Sequence, residues 1–231
     1  MKRLGIIGGM GPQATVDLFQ KIIDLTPANR DQDHIPIVID NYPQVPDRTA
    51  YLCGDGENPL PYLLESVKRL ERAGVDCLCM ACNTAHYFID ELRAATSLEF
   101  ISMVESVLND IKRSPRRYSK VGILATDGTI KGRVYHRPFS KAGIEIVDLD
   151  ANLQKIVMDA IYLLKAGRTQ KAVERFKEAL AAIEKEGYEC LIAACTEIPV
   201  LFSHVKEYSG ADVYDATYSL AKRVVEYCFV E

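Results

Sequence analysis

Two cysteines are the residues of this sequence whose type and setting best suit chemistry. Cys82 lies in the segment M-A-C-N-T-A-H (residues 80–86), and Cys195 lies in A-A-C-T-E-I-P (residues 193–199). Each follows a short apolar run and precedes a threonine or an Asn-Thr pair of the kind that caps helices. A thiol at the N-terminus of a helix has a lowered pKa and is accessible. The sequence therefore predicts two reactive thiols.

The two cysteine segments belong to an internal repeat. Residues 73–82 align with residues 186–195 at a constant offset of 113, and Gly, Cys, Leu, Ala and Cys coincide. Residues 4–7 align with residues 121–124 at a similar offset of 117. This repeat predicts two similar α/β domains that face each other, each with a strand that ends at a cysteine. Because ligands bind at the carboxyl ends of parallel strands, both thiols are expected at the site.

A facing pair of thiols suits proton transfer at a carbon atom. One thiolate removes a proton from one face of the carbon, and the opposite thiol returns a proton to the other face, which is two-base racemisation. At an unperturbed pKa only about 3% of a cysteine is thiolate at pH 7, and a helix N-terminus would raise that fraction. Burial of both thiols in the core is the alternative, since free cysteine is among the most buried residue types.

Apolar runs alternate with helical patterns along the chain. Strands are predicted over residues 4–8, 35–39, 75–80, 100–103, 121–125, 144–148, 190–194 and 213–215. Helices are predicted over residues 14–25, 61–73, 84–95, 104–113, 134–142, 153–166, 169–186 and 216–227. This alternation indicates two pseudo-symmetric α/β domains with mainly parallel sheets and the active site in the cleft between them. We assign residues 1–103 plus 207–231 to the first domain, which the last strand and helix complete, and residues 104–206 to the second.

Composition argues against several classes of protein. Of the 231 residues, 48% are hydrophobic and 26% charged, and the net charge is −4. This balance is typical of a globular protein and argues against a nucleic-acid partner, which needs clustered Lys and Arg. No apolar run of about 18 residues predicts a membrane span, and the N-terminal apolar run is too short for a signal peptide. We therefore expect a cytoplasmic protein whose seven cysteines stay reduced.

A C-x-C-x-x-C spacing ends at Cys82 and invites a zinc or redox interpretation. Strand side chains alternate, so the first two of these cysteines share one face of a sheet within an apolar run. No second pair of cysteines or histidines stands at ligand spacing, and we predict no metal. Core positions are predicted for Cys77, Cys79 and Cys190, and no role for Cys53 and Cys228.

A glycine-rich segment follows the first predicted strand and offers a rival function. Gly9, Gly11 and Ala14 match the dinucleotide-binding pattern G-x-G-x-x-A, and Asp40 ends the second predicted strand, where a ribose-binding acid belongs. A nicotinamide-dependent dehydrogenase is therefore an alternative. A tight turn between strand and helix explains the same glycines without a cofactor.

Five segments together resemble the aspartate/glutamate racemase family, and its aspartate racemase branch most closely. They are residues 8–12 (G-G-M-G-P), 43–51 (P-Q-V-P-D-R-T-A-Y), 81–86 (A-C-N-T-A-H), 124–129 (L-A-T-D-G-T) and 194–197 (A-C-T-E). The resemblance implies an amino-acid racemase with its site between two α/β domains, no pyridoxal phosphate or metal, and often a homodimer. It also implies that Cys82 and Cys195 are the catalytic pair, and both are present here.

The resemblance extends to substrate-binding positions. Asn83, Thr84 and Thr196 match residues that hold the substrate's α-carboxylate. Thr126 and Thr129 lie at the mirror-related turn of the second domain, where a similar role and ordinary helix capping are both open. The positions that match the lining of the cleft are Met10 and Gln44.

Two cations resemble those that aspartate racemases use for substrate carboxylates. Arg48 has the planar fork that grips a carboxylate, and Lys165 lies near a predicted helix C-terminus. Surface ion pairing is the alternative for both. His86 follows Cys82 by four residues and either shapes the environment of the thiol or faces solvent.

Two departures from glutamate racemases bear on the substrate. Those enzymes usually carry an Asp-Ser pair where this chain has Met10-Gly11, and a histidine where it has Glu197. We therefore favour aspartate or a broader range of amino acids over glutamate, and we expect Glu197 to assist Cys195 or to complement a helix dipole. The sequence also allows a lyase of the same fold or a non-catalytic binding protein.

Overall fold

Eight short strands form two four-stranded sheets in a computed structural model, which describes residues 1–205, 208 and 210–229. The strands are β1 (Leu4–Gly8), β2 (Ile37–Asn41), β3 (Cys77–Met80), β4 (Glu99–Ile101), β5 (Lys120–Ala125), β6 (Glu145–Val147), β7 (Cys190–Ala194) and β8 (Asp212–Asp215). The first sheet has the order β2-β1-β3-β4 and the second β6-β5-β7-β8. All six strand pairs are parallel, so the predicted α/β repeat is confirmed.

Helices connect the strands, as parallel pairing requires. They are α1 (Pro12–Leu25), α2 (Arg48–Cys53), α3 (Leu60–Arg72), α4 (Ile89–Ala94), α5 (Met103–Arg113), α6 (Asp127–Lys131), α7 (His136–Lys141), α8 (Ala151–Lys165), α9 (Thr169–Glu186), α10 (Glu197–Ser203) and α11 (Ala216–Cys228), with 3-10 turns at Asp31–Asp33 and Thr84–Phe88. None of the helices in the described ranges is long and apolar enough to cross a membrane.

The observed helices differ from the predicted ones mainly where a helix is short. The sequence does not predict α2, α6 or α10, which have five to seven residues each, because apolar periodicity needs about three turns to emerge. The helix predicted over residues 84–95 is a 3-10 turn followed by α4. The turn arises where the backbone N–H of His86 bonds to the carbonyl of Asn83, three residues earlier.

The last strand also differs from its prediction. β8 pairs with β7 in the second sheet, where Tyr214 lies opposite Ile192, so it does not complete the first domain. It holds the position in the second sheet that β4 holds in the first, because the repeat extends to a fourth strand. The final helix, α11, packs against α1 of the first half and against α5. The division after residue 103 stays a prediction, and the boundary between residues 206 and 207 lies outside the described residues.

Apolar side chains from both sheets meet in one shared core cluster. Ile6 of β1, Ile123 of β5 and Ile192 of β7 are fully buried members of the same cluster. Burying each such side chain contributes about 1.5–3 kcal/mol to stability. The shared core holds the two sheets together and so fixes the relation between their strand ends, where the site lies.

Candidate active site

Both cysteines lie just beyond the carboxyl ends of equivalent strands. Cys82 follows β3 by two residues and Cys195 follows β7 directly. They line the same cavity between the two halves, which contains about 300 Å³ of non-atom space that is partly open to solvent, and each is only 5% exposed. The predicted cleft between two pseudo-symmetric halves is confirmed.

Twelve residues line this cavity, and most are polar. They are Met10, Asp47, Arg48, Thr49, Cys82, Asn83, Thr84, Thr126, Lys165, Cys195, Thr196 and Glu197. The sequence predicts ten of them, and Asp47 and Thr49 are additions. Both additions lie in the unpredicted helix α2 or at its cap, so no periodic signal marks them.

Two predicted residues do not line the cavity. Gln44 is exposed in a turn after β2, and its position as a lining residue is wrong, because the chain turns outward there before α2 begins. Thr129 is fully buried behind the cavity wall. Its hydroxyl lies 2.9 Å from the hydroxyl of Thr84 and 3.0 Å from that of Thr126, so it supports the lining residues.

The three threonine hydroxyls form a closed ring across the two halves. The hydroxyls of Thr84 and Thr126 are 3.0 Å apart, and both lie within 3.0 Å of Thr129. Thr126 also accepts the backbone N–H of Thr129 and caps α6, so the capping alternative holds for it. Because each hydroxyl carries one proton and can rotate, the ring can redirect protons towards an anion in the cavity.

Cys195 lies in an acidic, dry environment. Its thiol donates a hydrogen bond to Oε2 of Glu197 at 2.9 Å, and the Thr196 hydroxyl donates to the same oxygen at 3.2 Å. Burial raises the pKa of the Cys195 thiol well above its ordinary value, and the Glu197 charge adds to this, while Lys165 opposes it. The predicted lowering of this pKa by a helix N-terminus is therefore wrong for Cys195, because desolvation and the neighbouring carboxylate dominate.

Lys165 faces the same carboxylate from the end of α8. Its Nζ lies 3.9 Å from Oε1 of Glu197, and its side chain is half-buried. Burial by itself would lower the pKa of Lys165. The opposite charges of Glu197 and of the two cavity thiols together outweigh burial, so the pKa of Lys165 is raised and the ammonium stays charged. Lys165 thus forms an ion pair, as the alternative to its substrate-binding role supposed, but the pair lies inside the cavity rather than on the surface, and its partner also contacts Cys195.

Arg48 lies at the start of α2 with part of its guanidinium unused. Its Nη1 donates to the carbonyls of Val45 and Pro46 at 3.3 and 3.1 Å, and its Nη2 donates to the carbonyl of Met10 at 3.2 Å. Its Nε is buried without a partner in the described part of the chain. Since a guanidinium has five N–H donors and three are taken, the Nε–H and one Nη2–H have no partner in the described part of the chain and are left for an acceptor such as a carboxylate.

Close backbone contact places α2 over the cavity. A Cβ added to Gly128 of α6 would lie 2.7 Å from Cα of Thr49, so only glycine permits this approach. The Nζ of Lys131 also donates to the carbonyl of Cys53 at 3.0 Å. The N-terminus of α2, with Arg48, is thereby fixed by contacts from the second half of the chain.

Comparison with known proteins decides the family. The sequence profile of the Asp/Glu/hydantoin racemases matches residues 7–224. The chain belongs to this family. The resemblance inferred from the five segments is confirmed, and so, at the level of the family, is the prediction of an amino-acid racemase.

Individual relatives cover nearly the whole chain. The structure of the Picrophilus torridus aspartate racemase superposes with a TM-score of 0.85 at 31% identity, covering 99% of this chain and 94% of that one. The broad specificity amino-acid racemase RacX of Bacillus subtilis (strain 168) is 27% identical over 228 residues, which are 96% of each chain. A glutamate racemase of Aquifex pyrophilus is 27% identical over 177 residues, 75% of this chain and 67% of its own.

The dehydrogenase alternative finds no support at the glycine-rich turn of this racemase. Gly9 has a φ of +90°, and a Cβ there would lie 2.4 Å from the backbone of Tyr42, so the turn itself requires glycine. Asp40, the candidate ribose ligand, pairs with Arg69 at 2.9 Å. The tight turn between strand and helix is the interpretation that the structure bears out.

The remaining cysteines of this racemase lie away from the cavity. Cys77, Cys79 and Cys190 are buried in the core, as predicted. Cys228, for which the sequence predicts no role, is also a core residue. It is fully buried, and its Sγ lies 3.4 Å from that of Cys77. In the described ranges no group of three His, Cys, Asp or Glu side chains is placed to hold a metal ion.

His86 supports the Cys82 loop rather than facing solvent. The Met103 backbone N–H donates to its Nε2 at 3.0 Å, so the ring proton is on Nδ1, which donates to the Cys82 carbonyl at 2.7 Å. Burial lowers the pKa of His86 to about 4. The ring therefore stays neutral and ties the loop of one thiol to the start of α5.

This buried histidine predicts a loss of stability in acid. Between about pH 6.5 and pH 4 the unfolded chain binds a proton at His86 that the folded chain does not, so the free energy of unfolding falls by about 3 kcal/mol as the pH drops through this window. We expect the His86→Asn variant to lack this component in urea titrations at several pH values. The exposed His204, as His204→Asn, is the control. An unchanged pH dependence in His86→Asn would contradict the prediction.

The Glu197 contact predicts how Cys195 titrates. Replacing Glu197 with Gln removes a negative charge that raises the pKa of Cys195, so that pKa falls and the thiolate fraction at a given pH rises. In a Cys82→Ser background we expect alkylation of Cys195 by iodoacetamide at pH 8 to be several-fold faster in Glu197→Gln, because the thiolate is the nucleophile. Peptide mass spectrometry follows Cys195 alone. Alkylation that is unchanged in Glu197→Gln, or faster to the same degree in the exposed control Glu189→Gln, would count against this role.

Proposed function

We propose that this protein interconverts L- and D-aspartate by proton transfer between Cys82 and Cys195, without pyridoxal phosphate or metal. The observation that carries the proposal is the pair of thiols at equivalent strand ends on one small polar cavity. Pseudo-symmetry supports an arrangement in which one thiol addresses each face of a flat intermediate.

In one direction Cys82 acts as the base and Cys195 as the acid. The Cys82 thiolate takes the Cα proton, so the Cα–H bond breaks, an S–H bond forms and the electron pair stays on the α-carbon. Cys195, whose thiol is protonated at rest, gives its proton to the opposite face and is left as a thiolate. The nearby Lys165 ammonium stabilises that thiolate beside Glu197. The reverse direction exchanges the two roles.

Uncharged donors of the cavity suit the α-carboxylate. Asn83 adjoins Cys82, and its Nδ2 is buried without a partner in the described part of the chain. The Thr84 and Thr126 hydroxyls lie on the same wall and can rotate towards an anion. Donors aimed at a carboxylate that gains charge as the proton leaves lower the barrier most in a dry site.

The cations suit a second carboxylate on the side chain of the substrate. Arg48 has two N–H groups without a partner in the described part of the chain, and Lys165 lines the same cavity. Similarity to the Picrophilus torridus aspartate racemase points the same way, whereas similarity to RacX keeps a broad-specificity racemase as the second candidate.

A substrate panel tests the proposed specificity. Purified protein treated with a chelator and freed of pyridoxal phosphate is incubated with L-aspartate, L-glutamate, L-asparagine and L-alanine, and the products are separated by chiral chromatography. We expect D-aspartate to form fastest. Comparable rates on asparagine and alanine would replace the proposal with broad specificity, fastest turnover of glutamate would replace it with a glutamate racemase, and release of ammonia would indicate a lyase.

We further propose that the enzyme is a homodimer, as the family resemblance implies. Val16 and Phe19, on the outer face of α1, are exposed apolar side chains that support a contact surface. Sedimentation equilibrium should give twice the mass of the chain, and a monomer at micromolar concentration would contradict the proposal.

A further inference from the structure

Tyr135 does not line the cavity, but it contacts Asn83, which does. It is fully buried at the start of α7, and its hydroxyl donates to Oδ1 of Asn83 at 2.5 Å. The two residues come from different halves of the chain, and Asn83 is the neighbour of Cys82. The hydrogen bond therefore joins the second half directly to the loop that carries one thiol.

The chain reaches this position through an unusual turn after α6. Arg133 has a φ of +52°, a left-handed conformation that residues other than glycine rarely adopt. The backbone N–H of Val134 bonds back to the carbonyl of Thr129, which closes the turn. The ring of Tyr135 then packs against Phe139, with ring centroids 5.8 Å apart. These contacts place the tyrosine hydroxyl against the cavity wall.

The hydrogen bond decides which end of the Asn83 amide faces the cavity. With Oδ1 accepting from Tyr135, the amide places its donor, Nδ2, where it has no protein partner in the described ranges. A flipped amide would leave the Tyr135 hydroxyl proton without an acceptor, and an unpaired buried donor is penalised. It would also present a carbonyl oxygen to any carboxylate in the cavity.

We infer that Tyr135 is a positioning residue, which orients the Asn83 amide so that its Nδ2 donates to the α-carboxylate of the substrate. The inference rests on the proposed function for the identity of the carboxylate. Because the Tyr135 hydroxyl acts through Asn83, its removal weakens substrate binding without removing a group that touches the substrate.

A double-mutant cycle tests this positioning role. Tyr135→Phe removes one oxygen atom, and we expect it to raise the KM for L-aspartate about tenfold with a smaller change in kcat, as loss of one oriented hydrogen bond implies. In an Asn83→Ala background the same change should have no further effect, because the amide that it orients is gone. The control is Tyr118→Phe, which removes another buried-ring hydroxyl that donates to Asp212 away from the site and should leave KM unchanged.

Equilibrium binding separates this inference from the proposed function. Calorimetry with L-aspartate on the Cys82→Ser, Cys195→Ser double variant repeats the cycle without turnover. Two results would overturn the inference. One is an unchanged KM and affinity for L-aspartate in Tyr135→Phe, and the other is that Tyr135→Phe weakens binding equally in the wild-type and Asn83→Ala backgrounds. A wild type that is inactive on every amino acid but retains the coupling in binding would overturn the proposed function and leave the inference standing.

Discussion

Replacing Cys82 or Cys195 with serine is expected to abolish racemisation of aspartate, with a loss of about 10³-fold or more. Removing a positioned acid or base costs about 10²–10⁴-fold, and a serine hydroxyl does not ionise near neutral pH. Both side chains are 5% exposed and lie just beyond equivalent strands, and serine differs from cysteine only in the smaller oxygen atom, so it fits without repacking. The measurement is D-aspartate formation by chiral chromatography.

Each single variant should keep exchange on one face. In Cys195→Ser the remaining Cys82 can remove and return a proton on its own side, so one enantiomer exchanges its Cα proton with solvent without inversion. Cys82→Ser should show the same behaviour with the opposite enantiomer. Cys53→Ser, which alters a thiol that does not line the cavity, should keep full activity. Racemisation that survives in either cleft variant would refute the two-thiol mechanism.

Replacing Arg48 with lysine is expected to lower kcat/KM for aspartate about 10- to 100-fold. A bidentate, charge-assisted contact contributes about 1.5–3 kcal/mol, and lysine keeps the charge but not the two adjacent N–H groups. Steady-state kinetics on aspartate and on a neutral amino acid that the wild type accepts measure the effect. We expect the loss to be selective for aspartate.

The ratio between substrates distinguishes recognition from support of the loop. Arg48 also holds three backbone carbonyls, so Arg48→Lys will disturb residues 45–48 to some degree. A structural loss would lower turnover of acidic and neutral substrates equally, and that result would contradict the role in carboxylate binding. The exposed Arg116, as Arg116→Lys, provides the control, since its ion pair with Asp212 lies outside the cavity.

The placement of the two thiols could be predicted because it follows from the repeat. Apolar runs identify β3 and β7, parallel pairing sends both carboxyl ends to one edge, and the constant offset relates the two cysteines. The same repeat, extended by one strand, would have placed β8 correctly beside β7. That prediction failed because β8 is only partly buried and carries a weak apolar signal.

Other parts of the site depend on contacts that no local pattern encodes. The pKa of Cys195 is governed by burial and by Glu197, which outweigh the helix terminus that the sequence suggests. Tyr135 falls inside a predicted helix, and only the left-handed turn at Arg133 directs it to Asn83. Gln44 is adjacent to lining residues in sequence, yet it points outward in its turn. Tertiary packing decides each of these positions.

Deuterium incorporation during a single conversion tests the two-thiol mechanism most directly. Wild-type protein is incubated with L-aspartate in D₂O under reducing conditions, and the Cα position of both enantiomers is followed by NMR and mass spectrometry at low conversion. Because the acid thiol exchanges with solvent before it delivers its proton, we predict D-aspartate fully deuterated at Cα beside L-aspartate that still carries protium. D-aspartate that retains protium at Cα would show one base returning the original proton, and it would contradict the mechanism, as would the absence of D-aspartate.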